Sequence, residues 1–236
     1  MNAARVLVVL AVAAAVAVAA SGFGARFGWW DFRIGFAILR WATYAGIAVA
    51  VLALVALCVR RLRTGHAIAL AAALVVATAT AALPLWWQNT ARAVPPINDI
   101  TTDTDDPPAF VAILPLRAGA PVSARYPGAA TAQAQRAGYP DLRPFTSTRN
   151  AHDAFAAAVA AARKMGWQII AADEAAGRIE ATATTPWFGF TDDVVVRVTP
   201  AADGSRVDVR SVSRVGRSDL GANARRIRDY LAALAG

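Results

Sequence analysis

One stretch of this chain gathers the residue types that bind anions. "RSVSRVGRSDLGANARRI", Arg210 to Ile227, holds five arginines, three serines, an aspartate and an asparagine within eighteen residues. Guanidinium groups offer forked donors that match carboxylate and phosphate oxygens, and hydroxyls and helix-start N–H groups add further donors. The candidate anion site is Arg210, Ser213, Arg214, Arg217, Ser218, Asp219 and Asn223. A structural reading competes with it: the arginines pair with the chain's own acids, such as Asp192, Asp193, Asp208 and Asp219, and Asn223 bonds a neighbouring turn.

The elements that position these groups follow from periodicity. In "RVDVRSVSR", strand alternation sends Val207, Val209, Ser211 and Ser213 to one face and Arg206, Asp208, Arg210, Val212 and Arg214 to the other. "VGRS" makes a corner, and "SDLGANARRI" opens a last helix from about Asp219 to Leu234, with Ser218 as N-cap and Asp219 against the helix dipole. Leu220, Ala224, Ile227, Leu231 and Leu234 form its inward stripe.

Upstream, Asn150 caps a helix that places Phe155, Val159 and Ala162 on one face and stops at Gly166. Strand patterns cover 167–172, 178–185, 193–199 and 206–214, and the turn-rich "DEAAG" and "PAADGS" make the neighbours antiparallel hairpins. The expected domain, residues 149–236, is α+β: a four-stranded antiparallel sheet with two helices on one face. Residues 91–148 carry nine of the chain's twelve prolines and read as a Pro-rich extended arm that packs its aromatics on that domain.

Other chemistry is thinner. Asp99, Asp103, Asp105 and Asp106 in "NDITTDTDDPP" offer oxygens to a cation, but the Gly and terminal Glu of a calcium loop are missing, so no metal is assigned. His152 sits in a first helical turn, and nothing in the spacing sets it beside Ser211, Ser213 or Ser218 as a hydrolytic triad requires. Asp192 and Asp193 are adjacent strand residues, so their carboxylates point to opposite faces. Trp187, Phe188 and Phe190 in "TTPWFGFTDD" read as packed under a strand crossing, with lipid or partner contact as the alternative. No nucleotide-binding fingerprint occurs, and no cofactor is assigned.

"GRIEATATTPWFGFTDDVVVRV", "VDVRSVSRVGRSDLGANARRI", "PPINDITTDTDDPPAF" and "AGYPDL" together resemble the bacterial envelope proteins grouped as domain of unknown function 1499. The resemblance runs from about Pro95 to Leu231, and its most specific part is the Arg-Ser-x-Ser-Arg-x-Gly-x-Ser-Asp-x-Gly-x-Asn core. It implies membrane anchoring and no particular activity.

The first 90 residues are a different material. Apolar runs at 6–20, 41–59 and 67–87 read as a three-helix membrane anchor; the first, ending Ala-Val-Ala-Ala before Ser21, also fits a signal peptide. Arg60, Arg61 and Arg63 mark the cytoplasmic loop, which makes the remainder extracytoplasmic in the cytoplasmic (inner) membrane. The spans hold no acid, base or histidine, against a transport role.

Net charge of +8 suggests nucleic acid until it is divided. Residues 1–87 hold seven of the 24 basic residues and one acid, Asp31, leaving 17 basic and 15 acidic groups for the rest, which is no phosphate-backbone footprint. Cys58 is the only cysteine, so the outer domain has neither disulfide nor thiol nucleophile. The expectation is a multi-pass protein that touches membrane lipid through three helices and binds an envelope protein or anionic small ligand at the corner. The alternative is an envelope hydrolase for a phosphorylated or carboxylated substrate, with Arg210 and Arg214 as clamps.

Overall fold

The computed structural model describes residues 2–235. They form two compact units: residues up to Thr90 together with Pro186–Gly189, and Ala91–Thr185 together with Phe190 onward.

The first unit contains α1 (Ala3–Arg26), α2 (Phe32–Cys58), the short α3 (Arg60–Arg63) and α4 (Ala67–Ala93). α1, α2 and α4 are each long and apolar enough to cross a membrane. The first apolar run continues past Ser21 as one 24-residue helix. Large apolar side chains point outward here, Val16, Val51, Ile68 and Val75 among them, while Ala11, Ala53, Ala73 and Ala77 fill the inside. That inversion suits helices packing backbone to backbone in lipid. Ser21, Thr43 and Thr80 donate their hydroxyls to carbonyls three or four residues back, so these three buried side chains need no water.

Asn2 Nδ2 lies 2.7 Å from His66 Nε2, which brings the start of α1 beside the α3–α4 turn and collects Arg5, Arg60, Arg61 and Arg63 at one end of the unit. Pro186–Gly189 belong to this unit: Trp187 Nε1 donates to the Ala19 carbonyl at 2.9 Å, its ring lies 4.9 Å from Trp87, and the Phe188 ring lies tilted 4.9 Å from that of Phe36. Gly22 has no side chain, and a Cβ there would fall 2.3 Å from the Trp187 ring. Trp187 and Phe188 are therefore packed on the helices of this unit and not under a strand crossing.

The second unit contains β1 (Asp99–Thr101), α5 (Ala129–Gly138), β2 (Phe145–Ser147), α6 (Ala151–Lys164), β3 (Gln168–Asp173), β4 (Arg178–Thr184), β5 (Thr191–Ala201), β6 (Gly204–Ser213) and α7 (Ala222–Ala235), with a 3-10 turn at Leu114–Arg117. Among the described residues the sheet has six strands, not four. β3 to β6 form the expected antiparallel meander, and β1 and β2 both pair with the outer edge of β6, at residues 210–212 and 205–207. The arm is thus part of the sheet at both its ends. Segments of three residues are too short for alternation to register, which is why sequence pattern passes over them.

The two sheet faces differ in chemistry. On one, Ile179, Ala181, Val194, Val196, Val207 and Val209 meet Ala154, Ala158 and Ala162 of α6 and Ala224, Ile227 and Leu234 of α7. Burial of the valine, isoleucine and leucine side chains among them is worth about 1.5–3 kcal/mol each. The alanines of α6 let it lie close, and Tyr230 stacks 4.8 Å from Trp167 while donating to the Ala158 carbonyl at 2.9 Å. The other face presents Glu180, Asp193, Arg197, Asp208 and Arg210; Glu180, Asp193, Arg197 and Arg210 hydrogen-bond directly into the folded-over arm, and Asp208 holds Arg197 and Arg206, which reach Asp106 and Asp103 there.

Candidate functional site

The corner after β6 is built differently from a simple capped helix. Leu220 and Gly221 both have left-handed backbones, with φ of 54° and 75°, so helical geometry starts only at Ala222. Ser218 is not the cap; its hydroxyl accepts from the Leu220 N–H at 3.3 Å. Asp219 fills that role, its two carboxylate oxygens accepting from Gly221 N at 2.7 Å and Asn223 N at 2.9 Å. The helix-start N–H groups expected to hold an external anion thus already hold this carboxylate. Burial pushes the Asp219 carboxyl above the ordinary range, against the pull of those two donors.

On the helix-covered face the hub is Asn223, fully buried. Its Nδ2 donates to the Asn98 carbonyl and to Ser213 Oγ, both at 3.0 Å, and its Oδ1 accepts from Ser211 Oγ at 2.6 Å. Arg226 donates to Ser211 Oγ and to Asn223 Oδ1, and at 2.6 Å to Asp192. Asn223 therefore uses its whole amide to tie β6, α7 and the start of β1 together.

On the opposite face, Arg210 is 2% exposed and donates through Nε and Nη2 to both oxygens of Asp99, at 2.8 and 2.7 Å. Its remaining donors reach the carbonyls of Pro108 and Ala124, and its guanidinium lies over the rings of Phe110 and Tyr126 at 5.1 and 5.4 Å. Arg214 makes a second bidentate pair with Asp193, which also accepts from the buried Arg117. Glu180, fully buried, accepts from three successive backbone N–H groups, Val111, Ala112 and Ile113, at 2.9–3.0 Å. Burial raises the Asp99 carboxyl above its usual range despite Arg210.

The seven corner residues therefore do not converge on one pocket. Arg210 and Arg214 lie on the arm-covered face, Ser213 and Asn223 on the helix-covered face, and Asp219 caps the helix. Arg217 alone of the seven is exposed with no hydrogen bond or ion pair among the described residues. As clamps for a hydrolytic substrate, Arg210 and Arg214 are already occupied by carboxylates. His152 pairs with Glu174 at the surface and lines a small cleft with Thr199 and Pro200. Ser213 pairs in the sheet with Asp192, eight residues along β5 from Pro200 and about 26 Å away at strand rise. Asp192 and Asp193 point to opposite faces as the alternation requires, to Arg226 and to Arg117 with Arg214.

The acidic stretch binds arginine side chains. Asp99 takes Arg210, Asp103 takes Arg206 and Arg197, Asp105 takes Arg136 and Asp106 takes Arg197. Sequence pattern identified neither Arg117, Glu180 nor Gln135 as partners. Glu180 alone carried a signal, an acid inside the alternating "RIEATAT"; Arg117 sits in an irregular stretch with none.

Solvent reaches a different place. A cleft of about 560 Å³ opens beyond β1 and is lined by Thr102–Asp106, Gln135, Arg136, Tyr139, Arg143 and Arg206. Arg206 is held by Asp103 and Asp208 at its wall. Arg136 is 57% exposed beside Thr104 and Asp105, and the exposed Arg143 has one contact, 3.4 Å to the Pro140 carbonyl. No residue of the corner lines this cleft.

The family model described as a protein of unknown function, DUF1499, matches residues 99–234. The chain belongs to that family. The match begins at β1 and ends within α7, so the two edge strands, the folded-over arm and the corner are all parts of the DUF1499 domain. No curated protein and no solved structure matches the chain.

Proposed function

We propose that this DUF1499 protein is a membrane-anchored, extracytoplasmic binding module that takes an anionic envelope ligand or partner, without catalysing its conversion. Arg5, Arg60, Arg61 and Arg63 share one end of the helical unit, and cytoplasmic flanks keep such clusters, which supports an outer location for everything after α4. The corner serves the fold, and the ligand surface moves to the cleft around Arg136 and Arg143.

The observation that carries the reading is that cleft: open space bordered by the exposed guanidinium groups of Arg136, which pairs with Asp105 at 3.4 Å, and Arg143, which meets no carboxylate among the described residues. Asp103 and Asp106 at its wall are held by Arg206 and Arg197, and Arg210 and Arg214 of the same unit are spent on internal carboxylates. At such exposed positions charge-assisted contacts are worth about 0–1 kcal/mol each. Isothermal titration of the full-length protein in detergent micelles, with glucuronate and inorganic phosphate as carboxylate and phosphate probes, is expected to give saturable binding of at least one. Absence of saturable binding for both overturns the anionic-ligand reading.

A further inference from the structure

Among the described residues of the second unit, the large apolar side chains left exposed are Val111, Leu114 and Leu116, at 51%, 46% and 51%. All three fall in the uncharged run "VAILPL", residues 111–116. The run is held firmly. Glu180 grips the N–H groups of residues 111–113, Ile113 is a fully buried peg packed with Val195 and Val212, and Arg117 beyond it is buried on Asp193. A rigid turn that drives one aliphatic residue inward and holds three outward keeps its apolar surface ready for an occupant.

Its place in the unit identifies that occupant. Ser213 is the link: its N–H donates to the Asn98 carbonyl at 3.0 Å, and its own carbonyl accepts from Arg117 Nη2 at 3.3 Å. The turn is therefore linked to Asn98, the last residue before β1, through the Arg117 side chain and Ser213. Only Val94–Asn98 separate β1 from α4, a reach of at most about 17 Å for five residues. Three half-exposed side chains offer roughly a few hundred Å², well below the roughly 800 Å² per partner of a stable protein interface. Shallow insertion at a bilayer surface needs no such area, and the run has no charged side chain to desolvate there.

We propose that Val111, Leu114 and Leu116 form a ledge that seats the DUF1499 domain on the lipid surface of the bilayer its own helices cross. The proposal rests on the membrane-spanning reading of α1, α2 and α4. With Cys58→Ser as background, spin labels are attached at Leu114→Cys, Leu116→Cys, Val51→Cys in α2 and Asp203→Cys in the β5–β6 turn. Each full-length protein is placed in phosphatidylglycerol–phosphatidylethanolamine nanodiscs, and accessibility to oxygen is compared with that to a nickel chelate.

The ratio at 114 and 116 is expected to exceed that at 203 severalfold, approaching the value at 51. A ratio at 114 and 116 equal to that at 203, with 51 lipid-like, overturns the ledge alone. Shielding of 114 and 116 from both reagents points to a protein partner or second copy and also overturns it. A water-like ratio at 51 removes the spanning reading and the ledge with it.

Discussion

Asn223 shows how a polar residue in a ligand-like motif can be fully consumed by the fold. Asparagine has two donors and two acceptor lone pairs, and each finds a partner among Asn98, Ser211, Ser213 and Arg226. Replacing it with leucine keeps a helix former but strands several buried groups, each costing about 1–3 kcal/mol. Asn223→Leu is expected to lower the melting temperature of the full-length protein in micelles by roughly 10 °C. Arg217→Ala removes an exposed side chain without partners and is expected to change stability by less than about 0.5 kcal/mol. A large loss from Arg217→Ala together with a neutral Asn223→Leu would reverse the assignment.

At the scale of elements, the decisive feature is how β6 is finished at its edge. β1 pairs with it for three residues, and the outer side of β1 would remain open to another strand. Gln135 of α5 closes it: its Oε1 accepts from Thr101 N at 2.9 Å and its Nε2 donates to Thr101 O at 2.6 Å, so one side-chain amide imitates a neighbouring strand. Gln135→Leu is expected to raise hydrogen–deuterium exchange at the Thr101 amide by tenfold or more while leaving β5 protected. Unchanged exchange at Thr101 would remove Gln135 from that role.

The same edge marks the limit of what sequence pattern reveals. β3 to β6 and α6 were legible because their alternation and 3.6-residue periodicity extend over six to fourteen residues around clear turns. β1, β2 and α5 were not, since two are three residues long and the third lies in a proline-rich arm whose order comes from distant partners. The corner was half legible: strand alternation placed Arg210 and Arg214 opposite Ser213 correctly, whereas the left-handed Leu220 and the long-range acceptors Asp99 and Asn98 have no local signal.

The whole molecule consists of an apolar three-helix unit and a DUF1499 unit in which Arg210, Arg214 and Asn223 make internal ties while Arg136 and Arg143 border an open cleft. The orientation predicts that an alkaline phosphatase fused after residue 236 is active, and a cytoplasm-only reporter there silent. The opposite pair of results would place the domain inside. The central claim is that the arginine-rich corner holds the fold while anions bind at the cleft. The most direct test compares dissociation constants for glucuronate and phosphate among the wild type, Arg136→Ala with Arg143→Ala, and Arg217→Ala. The account predicts affinity weakened tenfold or more in the cleft variant and unchanged in Arg217→Ala; loss of affinity in Arg217→Ala with the cleft variant behaving as wild type would contradict it.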